Sequence, residues 1–177
     1  SAAVCYTAHM TKITLSNKKD YSTVPAKYCR IILTEDKPSW HRLVECADGT
    51  LEYRMGAGKR QKMTVRSYRT LVRSIVQAAK GHQLENIALH LGMMDCPALE
   101  AKGGEWFYRT LAENLQLAQY EFTKYKTKGK GTKELKEVLV CGELSAAEKR
   151  SFADGLIVGE GANLTRDIAN TSGEDMT

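Results

Sequence analysis

Apolar residues recur along this chain with two different periods, and the change between them divides it. Up to Met55 the runs are short: Thr11 to Leu15, Cys29 to Thr34, Leu43 to Cys46 and Thr50 to Met55 are β-branched or alternately apolar, which predicts strands. Between the last two, Asp48 and Gly49 tolerate positive φ and predict a hairpin turn joining an antiparallel pair. From Thr64 the period lengthens. Val65, Tyr68, Leu71, Val72, Ile75, Val76 and Ala79 mark one face of a helix that stops near Gly81.

The second half repeats the alternation of strand and helix. Asn86 to Leu91 (NIALHL) predicts a buried strand. Phe107, Leu111, Leu115, Ala118, Phe122 and Tyr125 step by three and four, predicting a helix from about Glu105 to Tyr125 that runs into an exposed loop, KTKGKGTK. After the strand Glu137 to Cys141, Ser145 and Glu148 form a capping box worth about 1 kcal/mol. The helix it opens reaches about Ala169 and holds Phe152, Ala153, Leu156, Ile157, Leu164 and Ile168, but also Gly155, Gly159 and Gly161. Each glycine costs helix propensity of up to about 1 kcal/mol, so another backbone is expected close against this helix. Strands alternating with helices call for right-handed crossovers and a sheet covered on both faces. The fold class is α/β: a three-layer α/β/α sandwich on a mixed sheet, with a β-rich N-terminal third.

Composition adds little to that picture except exclusions. With 42% hydrophobic and 27% charged residues and only three prolines, 177 residues make one domain of ordinary size, neither disordered nor membrane-spanning. Ser1-Ala2-Ala3-Val4 lacks the charged-then-apolar order of a secretory signal, and a cytoplasmic protein is expected. Five cysteines, odd in number and mostly within apolar runs, suit reduced thiols.

Charge changes the picture more. The net charge is +5, yet Arg54, Lys59, Arg60, Lys62, Arg66, Arg69 and Arg73 follow one another without an acidic residue between them. Lys124, Lys126, Lys128, Lys130, Lys133 and Lys136 form a second run, interrupted only by Glu134. Arg54, Lys59, Arg60, Lys62, Lys126, Lys128 and Lys130 are therefore candidate contacts for an anion or a nucleic acid, although a solvated face needs no partner.

Catalytic signatures are missing from the sequence. Met55-Gly56-Ala57-Gly58-Lys59 sits between strand and helix, as a phosphate loop would, but Arg60 stands where a Walker loop needs Ser or Thr. Gly159-Glu160-Gly161 lies inside a helix and lacks a third glycine. His9, His41, His82 and His90 show neither HExxH nor metal-ligand spacing with a cysteine, and no serine sits in a GxSxG elbow. His90, between Leu89 and Leu91, reads as a hydrogen-bonded core or edge histidine.

Four strings, in order, resemble the N-terminal domain of the cytosol (leucyl) aminopeptidase family. They are YRMGAGKRQKMTVRSYRTLVRSIVQAA, ENIALHL, LAENLQLAQYEFTKYKTK with Tyr120, Phe122, Tyr125 and Lys126, and GLIVGEGANLTRDIANTSGEDMT with Arg166, Asp167, Ile168 and Asn170. The resemblance covers about Leu51 to Thr177. Ser172 stands where the family often has Pro.

The resemblance implies a macro-domain-like fold over residues 1–169, with residues 170–177 starting a connection to an absent C-terminal peptidase domain. Gly155, Gly159, Gly161, Arg166, Asp167 and Asn170 are then candidate contacts with that domain. Family parents are homohexamers that remove N-terminal residues from peptides with two divalent metals, usually zinc, with manganese or magnesium as alternatives. The family's metal-binding signature does not occur here, so no catalytic or metal residue carries over and the fragment is expected to be no enzyme. Two other readings stand beside this one: a nucleic-acid-binding module using the basic runs, and a macro-like nucleotide-binding domain around Gly56 to Lys59.

Overall fold

Alternation of side chains decides which residues of each strand meet the helices. The computed structural model describes residues 11–121 and 134–171. Within them one mixed sheet is built from β1 (Lys12–Ser16), β2 (Cys29–Thr34), β3 (His41–Glu45), β4 (Leu51–Gly56), β5 (Asn86–His90) and β6 (Glu137–Cys141), in the order β1-β6-β5-β2-β4-β3. Only β3 is antiparallel. It pairs with β4 from His41↔Met55 to Glu45↔Leu51, across the expected turn, where Gly49 takes φ 76°.

The helices are α1 (Val65–Gly81), a single turn α2 (Leu91–Met94), α3 (Gly104–Gln119) and α4 (Ala146–Asn170). From β4 to β5 and from β5 to β6 the chain steps across the sheet in one direction, so right-handed crossovers put α1 and α3 on the same face. There Ile31, Leu33, Ile87, Leu89, Val138 and Val140 share a core with Tyr68, Val72 and Ile75 of α1, Leu111 and Leu115 of α3 and Phe152 of α4.

The step from β1 to β2 runs the other way and carries the 3-10 turn Tyr21–Thr23 to the opposite face. Ala88, Leu139 and Cys141 are covered there by Val24, Tyr28 and Tyr21, whose hydroxyl donates to the Ile31 carbonyl at 2.7 Å. Both faces are covered, as expected of the α/β architecture, but the two outer layers differ greatly in weight.

Caps fix the helix starts. Ser145 Oγ accepts from the Glu148 N–H at 3.3 Å while the Glu148 carboxylate accepts from the Ser145 N–H at 2.8 Å, as the capping box predicts. Thr64 and Ser67 make the same reciprocal pair at α1. α1 ends at Gly81, as expected, and the left-handed residue after it is Gln83 (φ 54°). Tyr120, at φ −55° and ψ 127°, has already left helical geometry after α3, and the expected extension through Phe122 to Tyr125 lies outside the described residues.

α4 packs along α3, and the partners rise together on both: Ser151 with Glu105, Gly155 with Arg109, Gly159 with Gln116, and Asn170 with Tyr120. The two helices therefore run parallel and very close. A Cβ on Gly155 would sit 2.3 Å from the Arg109 carbonyl oxygen, and one on Gly159 would sit 2.6 Å from Gln116 Cβ. These glycines do face another backbone, but it is α3 of the same domain. The expectation that Gly155 and Gly159 contact a peptidase domain is corrected by this packing. Gly161 points the other way, with nothing within 4 Å of its would-be Cβ.

Gly155→Ala is thus expected to push α3 and α4 apart and destabilise the chain by about 1–3 kcal/mol. Gly161→Ala gains helix propensity without a clash and is expected to stabilise by up to about 1 kcal/mol. Urea unfolding of the two variants checks both, and equal effects would contradict the packing. The thiols give a second expectation. Cys29, Cys96 and Cys141 are free and buried, and burial raises each thiol, Cys29 to about 11. At pH 8 a thiol reagent should therefore modify the half-buried Cys46 first among these four, and the three buried thiols only as fast as the chain opens. Peptide mapping at timed intervals reads that order.

Candidate functional site

In parallel sheets, ligands bind beyond the carboxyl ends of the strands, where neighbouring strands send their chains to opposite faces. β1 and β6 are such a pair, and a cavity of about 550 Å³ opens there, lined in part by Lys19, His90, Cys96, Phe107, Tyr108 and Glu143. Three of its polar side chains, Lys19, His90 and Glu143, are already engaged. Lys19 Nζ lies 3.3 Å from Glu143 Oε1, and the His90 ring is held at both nitrogens, Nε2 by the Lys19 carbonyl at 2.5 Å and Nδ1 by the Gly92 N–H at 3.2 Å.

His90 is therefore the N-cap of α2, in keeping with its reading as a hydrogen-bonded histidine. Cys96 is a poor nucleophile because burial raises its thiol. Among the described residues no three His, Cys, Asp or Glu side chains converge as metal ligands would, and no helix is long and apolar enough to cross a membrane.

The loop from Gly56 to Lys59 is equally occupied. The Gly56 N–H donates to Trp40 O at 2.8 Å, that of Ala57 to Thr34 O at 2.8 Å and that of Gly58 to Asp36 O at 2.9 Å. No row of free N–H groups remains to cradle a phosphate, which removes the geometric basis for nucleotide binding at this loop. Its glycines serve close approach instead: a Cβ on Gly56 would fall 2.1 Å from the Lys37 carbonyl oxygen, and Gly58 takes φ 75°.

The other candidates fall into two groups. Arg166 stacks over the Tyr120 ring at 5.5 Å and its Nη1 reaches Asn163 Oδ1 at 3.2 Å, while Asn170 Nδ2 donates to the Tyr120 hydroxyl at 2.9 Å. Asp167 accepts at its backbone carbonyl from Thr171 Oγ1 at 2.7 Å. Arg166 and Asn170 thus lock the end of α4 onto the end of α3. Arg54 pairs with Glu52 at 2.8 Å, whereas Lys59, Arg60 and Lys62 make no side-chain hydrogen bond or ion pair among the described residues. Lys126, Lys128 and Lys130 lie outside the described residues.

Sequence reasoning missed the outward face of α4. Ile157, Gly161, Leu164 and Ile168 recur at four, three and four residues on the side away from α3, and the three large side chains are 66%, 60% and 56% exposed. Their spacing is visible in the sequence, but they interleave with Phe152 and Leu156, and the sequence alone does not separate the two sides.

Comparison with known proteins agrees with the resemblance. Residues 54–129 match the family model described as "Cytosol aminopeptidase family, N-terminal domain". A probable cytosol aminopeptidase of Azotobacter vinelandii (strain DJ) is 32% identical over 120 residues, covering 66% of this chain and 23% of the relative. One of Pseudomonas aeruginosa (strain UCBPP-PA14) is 30% identical over 118 residues, with the same coverage of 66% and 23%. The match therefore spans about a quarter, 23%, of the length of these curated relatives.

Among solved structures, a lysine-to-glutamate mutant of tomato leucine aminopeptidase superposes with a TM-score of 0.69 at 15% identity, covering 94% of this chain and 40% of that one. The bottromycin maturation enzyme BotP gives 0.62 at 22% identity, covering 85% and 34%. At these identities the superpositions bear on the fold alone. The matched segment holds β4 from Arg54, α1, β5 and α3, the elements that build the helix-covered side of the sheet. Over residues 54–129, the chain is thus similar to the N-terminal domain of the cytosol aminopeptidase family.

Proposed function

We propose that this chain is the non-catalytic N-terminal domain of a metal-dependent leucyl aminopeptidase and serves the assembly and shape of that enzyme. The observation that carries the reading is the outward stripe of α4, where Ile157, Leu164 and Ile168 stay more than half exposed around Gly161, which has open space above it. A large apolar stripe left in water is costly, and such stripes mark contact sites. Its occupant in this reading is the peptidase domain, with other copies completing a hexamer. The earlier candidates move accordingly, from Gly155 and Gly159, which serve α3, to the opposite face of the same helix.

The chemistry belongs to the absent domain. Two divalent metals, zinc or alternatively manganese or magnesium, would be held there, and peptides would lose their N-terminal residues there. Two-metal hydrolysis needs several carboxylates converging on the ions. A cytoplasmic location accords with the names of the relatives.

In the full-length protein, Leu164→Glu with Ile168→Glu should dissociate the assembly, read by light scattering, and lower leucine-amide hydrolysis with it. In the 177-residue chain the same pair should change stability by only about 0.5 kcal/mol, because both side chains are already exposed. An unchanged assembly would overturn the reading. So would hydrolysis of leucine amide by the 177-residue chain alone with zinc or manganese added.

A further inference from the structure

β3 ends the sheet on one side, and beyond it no described strand follows. The Trp40 carbonyl accepts from the Gly56 N–H and the Cys46 N–H donates to the Thr50 carbonyl, both at 2.8 Å and both in the register of the β3–β4 pair. Backbone groups of an antiparallel strand point to alternate sides. Trp40, Arg42, Val44 and Cys46 therefore bond towards β4, while His41, Leu43 and Glu45 direct their N–H and C=O groups outwards. Among the described residues none of these outward groups has a hydrogen-bond partner. The edge is open as well, since His41, Arg42, Leu43 and Glu45 are all exposed.

An open edge invites another strand, and proteins protect such edges with proline, bulges or charge that repels a newcomer. β3 has no proline, and no bulge interrupts its pairing from His41 to Glu45. Its charges match when the strand meets a copy of itself running the other way. With Leu43 on the two-fold axis, His41 stands opposite the partner's Glu45, Arg42 opposite the partner's Val44, and Leu43 opposite its own equivalent. Backbone parity agrees with that register, because the outward residues His41, Leu43 and Glu45 then pair only with one another, each pair exchanging two hydrogen bonds.

The side chains have room for these partners. Glu45 makes no side-chain hydrogen bond or ion pair among the described residues, and the His41 ring uses only Nδ1, 3.3 Å from the Ser39 carbonyl. Leu43, 40% exposed, gains an apolar neighbour on the axis, and Trp40, also 40% exposed, comes opposite the partner's Cys46. Charges of both signs surround the edge, where Lys37 and Arg42 stand among Glu35, Asp36, Glu45, Asp48 and Glu52. The basic surplus lies further on, from Tyr53 to Leu84, where eight basic residues meet no Asp or Glu and leave the rest of the chain at a net −3.

We propose that β3 pairs antiparallel with β3 of a second copy of this chain, joining the two sheets into one across a two-fold axis at Leu43. This contact is separate from the outward stripe of α4 and does not depend on the function proposed for it.

The test is sedimentation velocity of the whole chain between about 5 and 500 µM, in about 300 mM salt to screen attraction between unlike ends of two copies. A short edge makes a small interface, so a monomer–dimer equilibrium with a dissociation constant of about 100 µM is expected. Leu43→Pro removes an outward N–H from both copies and leaves the β4 ladder intact. It should keep the fold, checked by circular dichroism melting, and raise the dissociation constant by at least about tenfold. Glu45→Lys, which the symmetry counts twice, should weaken the dimer about tenfold. Adding His41→Glu to it should restore the dimer, because opposite charges then meet again with their positions exchanged. Leu164→Glu with Ile168→Glu should leave this equilibrium unchanged, which separates a failure here from a failure of the α4 assembly. A monomer at every concentration, a dimer indifferent to Leu43→Pro, or a charge swap that restores nothing would overturn the proposal. So would displacement of the second copy by an unrelated extended peptide at equal concentration, which would assign the edge to strand addition in general.

Discussion

The contact between α3 and α4 is the constraint on which the domain's shape depends. The two helices run parallel, so their peptide dipoles lie side by side in the unfavourable sense, and the contact has to compensate. It does so by closeness. With no side chain at Gly155 or Gly159, the backbones approach until Ala112 and Gln116 fill the space a Cβ would have taken. Asn163 Nδ2 then reaches the Gln116 carbonyl at 2.8 Å, and Asn170 and Arg166 close the far end on Tyr120. The other side of α3 is tied to α1, where buried Asn114 donates to Thr110 O at 2.8 Å and accepts from Arg73. Widening the first contact would therefore move α3 relative to the sheet and strain the second.

Much of this was legible in the sequence. Strands were read from short runs such as Val138-Leu139-Val140, because a sheet buried on both faces needs apolar residues in succession. The Ser145–Glu148 box located the start of α4 because capping is a local interaction. What stayed hidden was relational. Glycines in α4 announced that a backbone was near, but their partner is set by how α3 and α4 rotate against each other, which no single segment encodes. That misassignment also hid the outward stripe, since inner and outer apolar residues of α4 interleave along the chain. The stop of α1 at Gly81 was legible, but the left-handed turn at Gln83 that follows it was not.

Chemistry followed the same division. In the cavity Lys19 pairs with Glu143 and the His90 ring is held by backbone groups, contacts that no motif announces. A glycine-rich loop in the place of a phosphate cradle had its N–H groups committed to Thr34, Asp36 and Trp40, a fact visible only once the chain folds back. The family match falls on the first three of the strings that suggest it, and the fourth, on α4, lies beyond it.

The uneven distribution of charge makes the molecule an electric dipole as well as a cation. A sequence pI near 8.9 describes its total charge but not its orientation in a field. Titrating to low pH would protonate carboxylates everywhere except between Tyr53 and Leu84, where there are none, so acidification erases the contrast by raising the remainder rather than by altering the basic end. At neutral pH and low ionic strength, two copies approach most favourably with the basic end of one towards the acidic remainder of the other. Added salt relaxes that attraction, so this is a protein that salt keeps dispersed.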